Sequence, residues 1–333
     1  MFPYNSAMTK LIDSFGRSID YVRVSVTDRC DLRCSYCMPK QFHDFHEPEE
    51  WLTFDEIERV MTAFARLGTR RIRLTGGEPL VRKNLPALAQ RLSTIPGIED
   101  LSLSTNATRL DKYAADLHAA GISRLNISLD SLNANTFKEI TGGKLEKVLT
   151  GIKAASAAGF YPIKINMVLM KGVNDHEVEA MVNFCIEHAL TLRFIETMPV
   201  GDTGRAATEK FIDLAEIRKQ LEQKFDLIPG VMPGGGPARY LQVAGTKINI
   251  GFITPISQHF CATCNRVRLS VDGTLYTCLG QEHHVALRPL LRSGANDAEL
   301  AQAILTAIQQ KPERHEFKEK PDQVVRFMSY TGG

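Results

Sequence analysis

Tyr21-Val22-Arg23-Val24-Ser25-Val26 runs, three residues later, into Cys30-Asp31-Leu32-Arg33-Cys34-Ser35-Tyr36-Cys37. The first part is a short, Val-rich strand. The second sets three cysteines at C-x3-C-x2-C spacing in the loop at that strand's C-terminal end. Five similar strand candidates follow at Arg71–Leu74, Leu101–Thr105, Arg124–Leu129, Ile163–Met170 and Thr191–Thr197. Helical patterns lie between them. Thr53-Phe54-Asp55-Glu56 is a capping box opening a helix that ends near Gly68. Leu85–Leu92 is a short helix with Pro86 in its first turn. Asp111 caps a helix that stops at Gly121, and Lys144–Ala158 and Asp175–Ala189 are two more. Alternating strands and helices imply parallel crossovers. Eight strands would close a standard barrel; six leave an incomplete, open barrel or a doubly wound sheet. Both put ligands at the C-terminal strand ends.

The pattern changes after about Val200. Gly201-Asp202-Thr203-Gly204 reads as a loop, Phe211–Phe225 as a helix and Pro229–Pro237 as a Gly/Pro-rich linker. Strand-like runs follow at Lys247–Ile253, Arg266–Val271 and Thr274–Leu279, the last two joined by the hairpin signal Asp272-Gly273. Val285–Leu291 and Asp297–Gln310 look helical. The expected division is residues 1–200 and residues 201–333, the second an α+β extension.

The 333 residues carry a net charge of only +2. No global basic field therefore argues for nucleic acid, and any anion site must come from local arginine and lysine clusters. No run of 18 apolar residues exists, so no membrane span is expected. The segment Met1 to Asp20 is polar and lacks an apolar signal core, so a cytoplasmic location is expected. In a reducing cytosol, clustered cysteines are metal ligands more often than disulfides. Six of the seven cysteines form two triplets, Cys30, Cys34, Cys37 and Cys261, Cys264, Cys278. Cys185 lies in an apolar stretch and reads as a core residue.

Three thiolates in one tight loop hold three irons of a 4Fe–4S cluster and leave the fourth iron open for chemistry. Thr75-Gly76-Gly77-Glu78-Pro79 follows the second strand, and its glycines let backbone come close to a ligand. The second triplet has C-x2-C-x13-C spacing, and the hairpin returns Cys278 beside Cys261 and Cys264. It suits a second cluster with an open iron, or a structural zinc with His259, His283 or His284 as fourth ligand. Arg266 and Arg268 face the same side of their strand and offer fixed donor forks to an anionic or carbonyl-bearing substrate. Arg71 and Arg73, on a strand covered on both faces, need an anionic partner, as does Lys164 between Ile163 and Ile165.

The first triplet, with an aromatic before its last cysteine, and the Gly-Gly-Glu-Pro segment resemble the radical S-adenosylmethionine (SAM) superfamily. From about Asp13 to Gly333 the chain is similar to the GTP 3′,8-cyclase family of molybdenum cofactor biosynthesis. Arg23–Cys30, Cys34–Pro39, Arg71–Leu80, Asn126–Ser131, Phe194–Pro199, Cys261–Arg268 and Gly332-Gly333 carry that resemblance. It implies an incomplete (β/α)6 barrel whose C-terminal α+β extension carries a second iron–sulfur cluster. Cys30, Cys34 and Cys37 would hold the SAM cluster, and Cys261, Cys264 and Cys278 the second 4Fe–4S cluster. Tyr36, Gly77, Ser128 and Met198 would line the SAM pocket. Arg23, Arg71, Arg73, Ser104, Lys164, Arg266 and Arg268 would bind GTP. Arg266 and Arg268 would sit beside the substrate, and Gly332 and Gly333 would insert into the active site, where the family needs them for catalysis. The implied reaction begins with SAM cleavage to a 5′-deoxyadenosyl radical. Hydrogen abstraction from C3′ of GTP and attack on C8 then give 3′,8-cyclo-7,8-dihydro-GTP. A reductant protein and a downstream cyclic pyranopterin monophosphate synthase are the implied partners of a monomer or homodimer. Two competing readings are a radical SAM peptide or sulfatase maturase with an auxiliary cluster, and a non-catalytic iron–sulfur or zinc protein.

Overall fold

The computed structural model describes residues 10–43, 45–232 and 234–332. The first six strands are β1 (Tyr21–Ser25), β2 (Arg71–Thr75), β3 (Asp100–Thr105), β4 (Arg124–Ser128), β5 (Ile163–Val168) and β6 (Thr191–Ile195). They pair in chain order, all parallel. Between them run α1 (Phe54–Arg66), α2 (Leu85–Ser93), α3 (Leu110–Ala119), α4 (Ala134–Thr141), α5 (Leu145–Ala157) and α6 (Val178–Glu187). The expected capping box opens α1: Glu56 N–H donates to Thr53 Oγ1 at 3.1 Å, and Thr53 N–H to Glu56 Oε2 at 2.7 Å.

The rest of the chain extends the same sheet at both edges. Its strands are β7 (Leu227–Gly230), β8 (Arg239–Val243), β9 (Asn249–Ile253), β10 (Arg266–Leu269), β11 (Thr274–Tyr276) and β12 (His284–Ala286). The order is β12-β11-β10-β1-β2-β3-β4-β5-β6-β9-β8-β7. β10 lies parallel to β1 and β9 parallel to β6. The (β/α)6 partial barrel therefore gains one parallel strand on each flank, and antiparallel hairpins finish the two ends. That puts the second cysteine triplet, which brackets β10 and β11, beside the strand that feeds the first.

Three local expectations are corrected. Gly201-Asp202-Thr203-Gly204 opens helix α7 (Gly201–Thr208) rather than a loop. Its glycines serve close packing: a Cβ on Gly201 would lie 2.8 Å from the Phe327 ring, and one on Gly204 2.5 Å from Met198 O. The expected Gly/Pro-rich linker Pro229–Pro237 begins inside β7, an edge strand, where proline is tolerated. The expected helix at Val285–Leu291 is the edge strand β12 followed by α9 (Arg288–Arg292), which Pro289 starts. The helices after α7 are α8 (Leu214–Glu222), α9, α10 (Asp297–Gln309) and the single turn α11 (Met328–Thr331).

The parallel strands alternate. Val22, Val24, Ile72, Leu74, Leu101, Leu103, Leu125, Ile127, Ile163, Ile165, Leu192 and Phe194 join one buried core with the helices. The intervening residues, in register across the sheet, include Arg23, Arg73, Asn126, Lys164, Asn166, Arg193 and Arg268. Parallel strands covered on both faces are usually apolar throughout. A period-2 polar face on this sheet therefore marks a lumen built for a polar ligand.

Candidate functional site

A cavity of about 340 Å³ opens on that polar face, lined by Arg71, Arg73, Arg124, Lys164, Arg193, Tyr21 and the segment around Gly230–Tyr240, including Arg239. Asp20 pairs with Arg71 and Asp100 with Arg124, which leaves positive charge in excess. Burial, then the charges of Arg193, Arg124 and Arg73, pushes Lys164 down to about 7. Burial takes Arg193 down to about 10. Arg193 Nε and Asn166 Oδ1 are buried with no hydrogen-bond partner among the described residues. Crowded cations and orphaned polar atoms call for an anionic, hydrogen-bonding ligand. Arg124 and Arg193 were not among the residues singled out from the sequence. They carry the same signal as Arg71 and Arg73: in Arg-Leu-Asn-Ile-Ser and Thr-Leu-Arg-Phe-Ile each arginine alternates with core residues.

A second cavity of about 170 Å³ shares Tyr21, Arg73, Arg193 and Gly236 with the first. Cys261, Cys264 and Cys278 line it together with Arg23, Arg266, Arg268 and Met198. Burial acts to raise Cys264, but the Lys311 and Arg266 charges and hydrogen bonds from Arg266 take it down to about 7. Burial raises Cys261 and Cys278. Burial, Arg266 and Arg326 push Arg268 down to about 9. Lys311 is fixed over this site by its Nζ, which donates to Arg266 O at 3.0 Å. None of His259, His283 and His284 lines the cavity; His315 does, its ring 4.4 Å from that of Phe317.

The first triplet has a different setting. The loop is pinned to the end of α4, with Arg33 N–H donating to Thr141 O and Ser35 N–H to Ile140 O, both at 2.8 Å. Gly77 N–H donates to Thr27 O at 2.8 Å and Glu78 N–H to Arg29 O at 2.9 Å. A Cβ on either Gly76 or Gly77 would strike the 27–29 backbone, so these glycines let strand ends approach the cysteine loop. Burial raises all three thiols, Cys37 to about 12. Burial also pushes Glu78 up to about 7 and Asp130 up to about 6. The Tyr36 hydroxyl donates to Asp130 Oδ2 at 2.7 Å, and Asn106 Nδ2 reaches both Cys30 Sγ at 3.8 Å and Asp31 Oδ1 at 2.8 Å.

Ser104 pairs in register with Asn126, and Ser128, at the end of β4, with Asn166. Neither serine lines the two cavities. Arg268 Nη1 donates to the Gly332 carbonyl and, at 3.3 Å, to that of Thr331. A Cβ on Gly332 would strike the Thr75 side chain. The tail thus lies against the end of β2 and Arg268, and Gly333 lies outside the described residues.

All six triplet cysteines are free thiols. Within each set the sulfurs sense one another's charge. Among the described residues, no three His, Cys, Asp or Glu groups converge tightly enough for one metal ion. Sulfurs sharing one tetrahedral zinc stand only about 3.8 Å apart.

The Radical SAM superfamily profile matches residues 24–185, and the Molybdenum Cofactor Synthesis C profile matches residues 190–317. GTP 3′,8-cyclase 1 of Pseudomonas aeruginosa is 50% identical over 330 residues, covering 98% of this chain and 100% of that one. The chain belongs to the GTP 3′,8-cyclase family. A second member, from Hydrogenovibrio crunogenus, is 48% identical over 97% of this chain and 99% of its own length. Among solved structures, Streptococcus suis SuiB bound to S-adenosylmethionine superposes with a TM-score of 0.63. It covers 95% of this chain and 77% of SuiB at 15% identity, a likeness of fold alone. As a family member the chain is a radical SAM enzyme, with SAM and 4Fe–4S clusters as its cofactors. Among the described residues no helix is long and apolar enough to cross a membrane.

Proposed function

We propose that this chain cyclises GTP to 3′,8-cyclo-7,8-dihydro-GTP in molybdenum cofactor biosynthesis. The supporting observation is the joined pair of cavities, one walled by cations and the next by a cysteine triplet. A nucleoside triphosphate has that polarity, with a polyanion at one end and a base at the other. Arg71, Arg73, Lys164, Arg124 and Arg193 would clamp the triphosphate through charge-assisted hydrogen bonds. Cys261, Cys264 and Cys278 would hold a cluster whose open iron meets the guanine, with Arg23, Arg266 and Arg268 beside it. Ser104 is assigned to the GTP side as well, although it lines neither cavity.

Cys30, Cys34 and Cys37 would hold the other cluster, with Tyr36, Gly77, Ser128 and Met198 around SAM. With SAM bound, that cluster supplies a 5′-deoxyadenosyl radical. The chain's share is to hold ribose C3′ towards that radical, guanine C8 towards C3′, and water out. Gly332 and Gly333 would close the site from the tail, through the Arg268 contact. We further assign a cytoplasmic reductant protein as electron source, a downstream synthase as consumer of the product, and a functional division of the chain near residue 200.

The test is anaerobic. Reconstituted, reduced enzyme receives SAM alone, with GTP or with ATP. GTP should raise the yield of 5′-deoxyadenosine and ATP should not; equal yields in all three would remove GTP as substrate.

A further inference from the structure

Lys311 is a buried ammonium group at the second cysteine triplet. It follows α10 and lines the same cavity as Cys261, Cys264 and Cys278. Its Nζ donates to two main-chain carbonyls, that of Arg266 at 3.0 Å and that of Thr277. Arg266 stands two residues after Cys264 and Thr277 directly before Cys278. One ammonium group therefore ties together the two chain segments that carry these cysteines. Beside it, the Arg17 guanidinium donates to Cys261 O at 2.9 Å and to Pro312 O and Glu313 O, both at 2.6 Å. Residues 311–313 are thus fastened to the backbone around all three cysteines.

The two cations differ in charge balance. Arg17 pairs with buried Asp13 at 2.6 Å. Lys311 is held by carbonyls, and no Asp or Glu stands among the described residues that line the cavity. A buried ammonium group calls for a compensating anion. The side chains of this cavity that turn anionic on binding metal are the three cysteines. Burial raises Cys261 and Cys278 and opposes ionisation of Cys264, and the Lys311 charge draws all three the other way.

We propose that Lys311 is the counter-ion of the cluster held by Cys261, Cys264 and Cys278 and sets its reduction potential. This rests on the cysteine assignment above. Taking one electron moves a 4Fe–4S cluster from the 2+ to the 1+ state. A fixed positive charge beside the cluster stabilises the added electron and raises the potential. Lys311 is thus a positioning residue that acts through the cluster.

The experiment is a redox titration of the full-length, reconstituted enzyme with dithionite, followed by electron paramagnetic resonance. The signal that survives Cys34→Ala reports the second cluster. Lys311→Gln removes the charge and keeps N–H donors; Lys311→Arg keeps both. In Lys311→Gln the reduced-to-oxidised ratio of that signal at a fixed potential should fall about tenfold, a midpoint lower by about 59 mV. The signal of the first cluster should stay put, and Lys311→Arg should keep the wild-type midpoint. An unmoved midpoint in Lys311→Gln, the same fall in Lys311→Arg, or equal falls in both clusters overturns the proposal. If Lys311→Gln takes up only about four irons per chain, Lys311→Arg decides: full loading supports the counter-ion, and the same loss overturns it. Failure of the cysteine assignment is separately visible: Cys278→Ala would then keep the iron and both signals of the wild type, and the proposal would fall with it.

Discussion

Cys34 and Cys264 are both partly buried thiols in triplets, yet their surroundings pull them apart. Burial, followed by the Asp130 charge, drives Cys34 upward. Around Cys264, Lys311 and Arg266 overcome burial and bring the thiol down to about 7. The first site is ringed by carboxylates, with Glu78, Asp31 and Asp130 all acting on its cysteines. The second is walled by Arg23, Arg266, Arg268 and Lys311. Carboxylates suit the sulfonium and ammonium charges of SAM; guanidinium groups suit an anionic nucleotide. On the proposed assignment, similar cysteine motifs would serve opposite ligands because the strands around them carry opposite charge.

The largest effect that would sharpen this contrast is loss of a ligand in the first triplet. Cys34→Ala should bring 5′-deoxyadenosine to background and remove about four of about eight irons per chain, while GTP still binds. Iron analysis and chromatography of the nucleoside check both halves. Next, Arg266→Ala or Arg268→Ala should spare SAM cleavage without substrate and abolish the cyclised product. Each should also weaken GTP binding about 10- to 100-fold, the loss of one charge-assisted contact. Normal product yield from either variant would remove its assigned role.

A smaller effect lies in pH. Lys164 titrates near 7 in the empty site because burial and neighbouring cations favour its neutral form. A bound triphosphate raises that value, so binding takes up a proton above pH 7. GTP affinity should be strongest below about 7 and decline as pH rises, by at most about tenfold per unit. Calorimetry against Lys164→Arg, which should flatten this slope, isolates the residue. The smallest effect belongs to Cys185, fully buried in the core. Cys185→Ala should cost about 1 kcal/mol of stability, read by denaturant unfolding, and leave iron content and activity whole.

The barrel strands and both triplets were legible in the sequence because alternation and cysteine spacing are local signals. Edge strand β7 was not, since Pro229 reads as a breaker when the tertiary neighbour is unknown, and β12 was not, since its three residues run straight into α9 and read as one helix with it. The same limit hid the joining of β9 and β10 to opposite flanks of the barrel, a long-range pairing that leaves no local mark. Arg124 and Arg193 were legible in principle and passed over, although their strands alternate as β2 does.

The central claim is that the two triplets do different work, and Cys264→Ala tests it most directly. The variant receives SAM and GTP, and 5′-deoxyadenosine and cyclised nucleotide are quantified side by side. The account predicts that 5′-deoxyadenosine still forms while the cyclised nucleotide is absent. Cyclised product at the wild-type ratio to 5′-deoxyadenosine would contradict it.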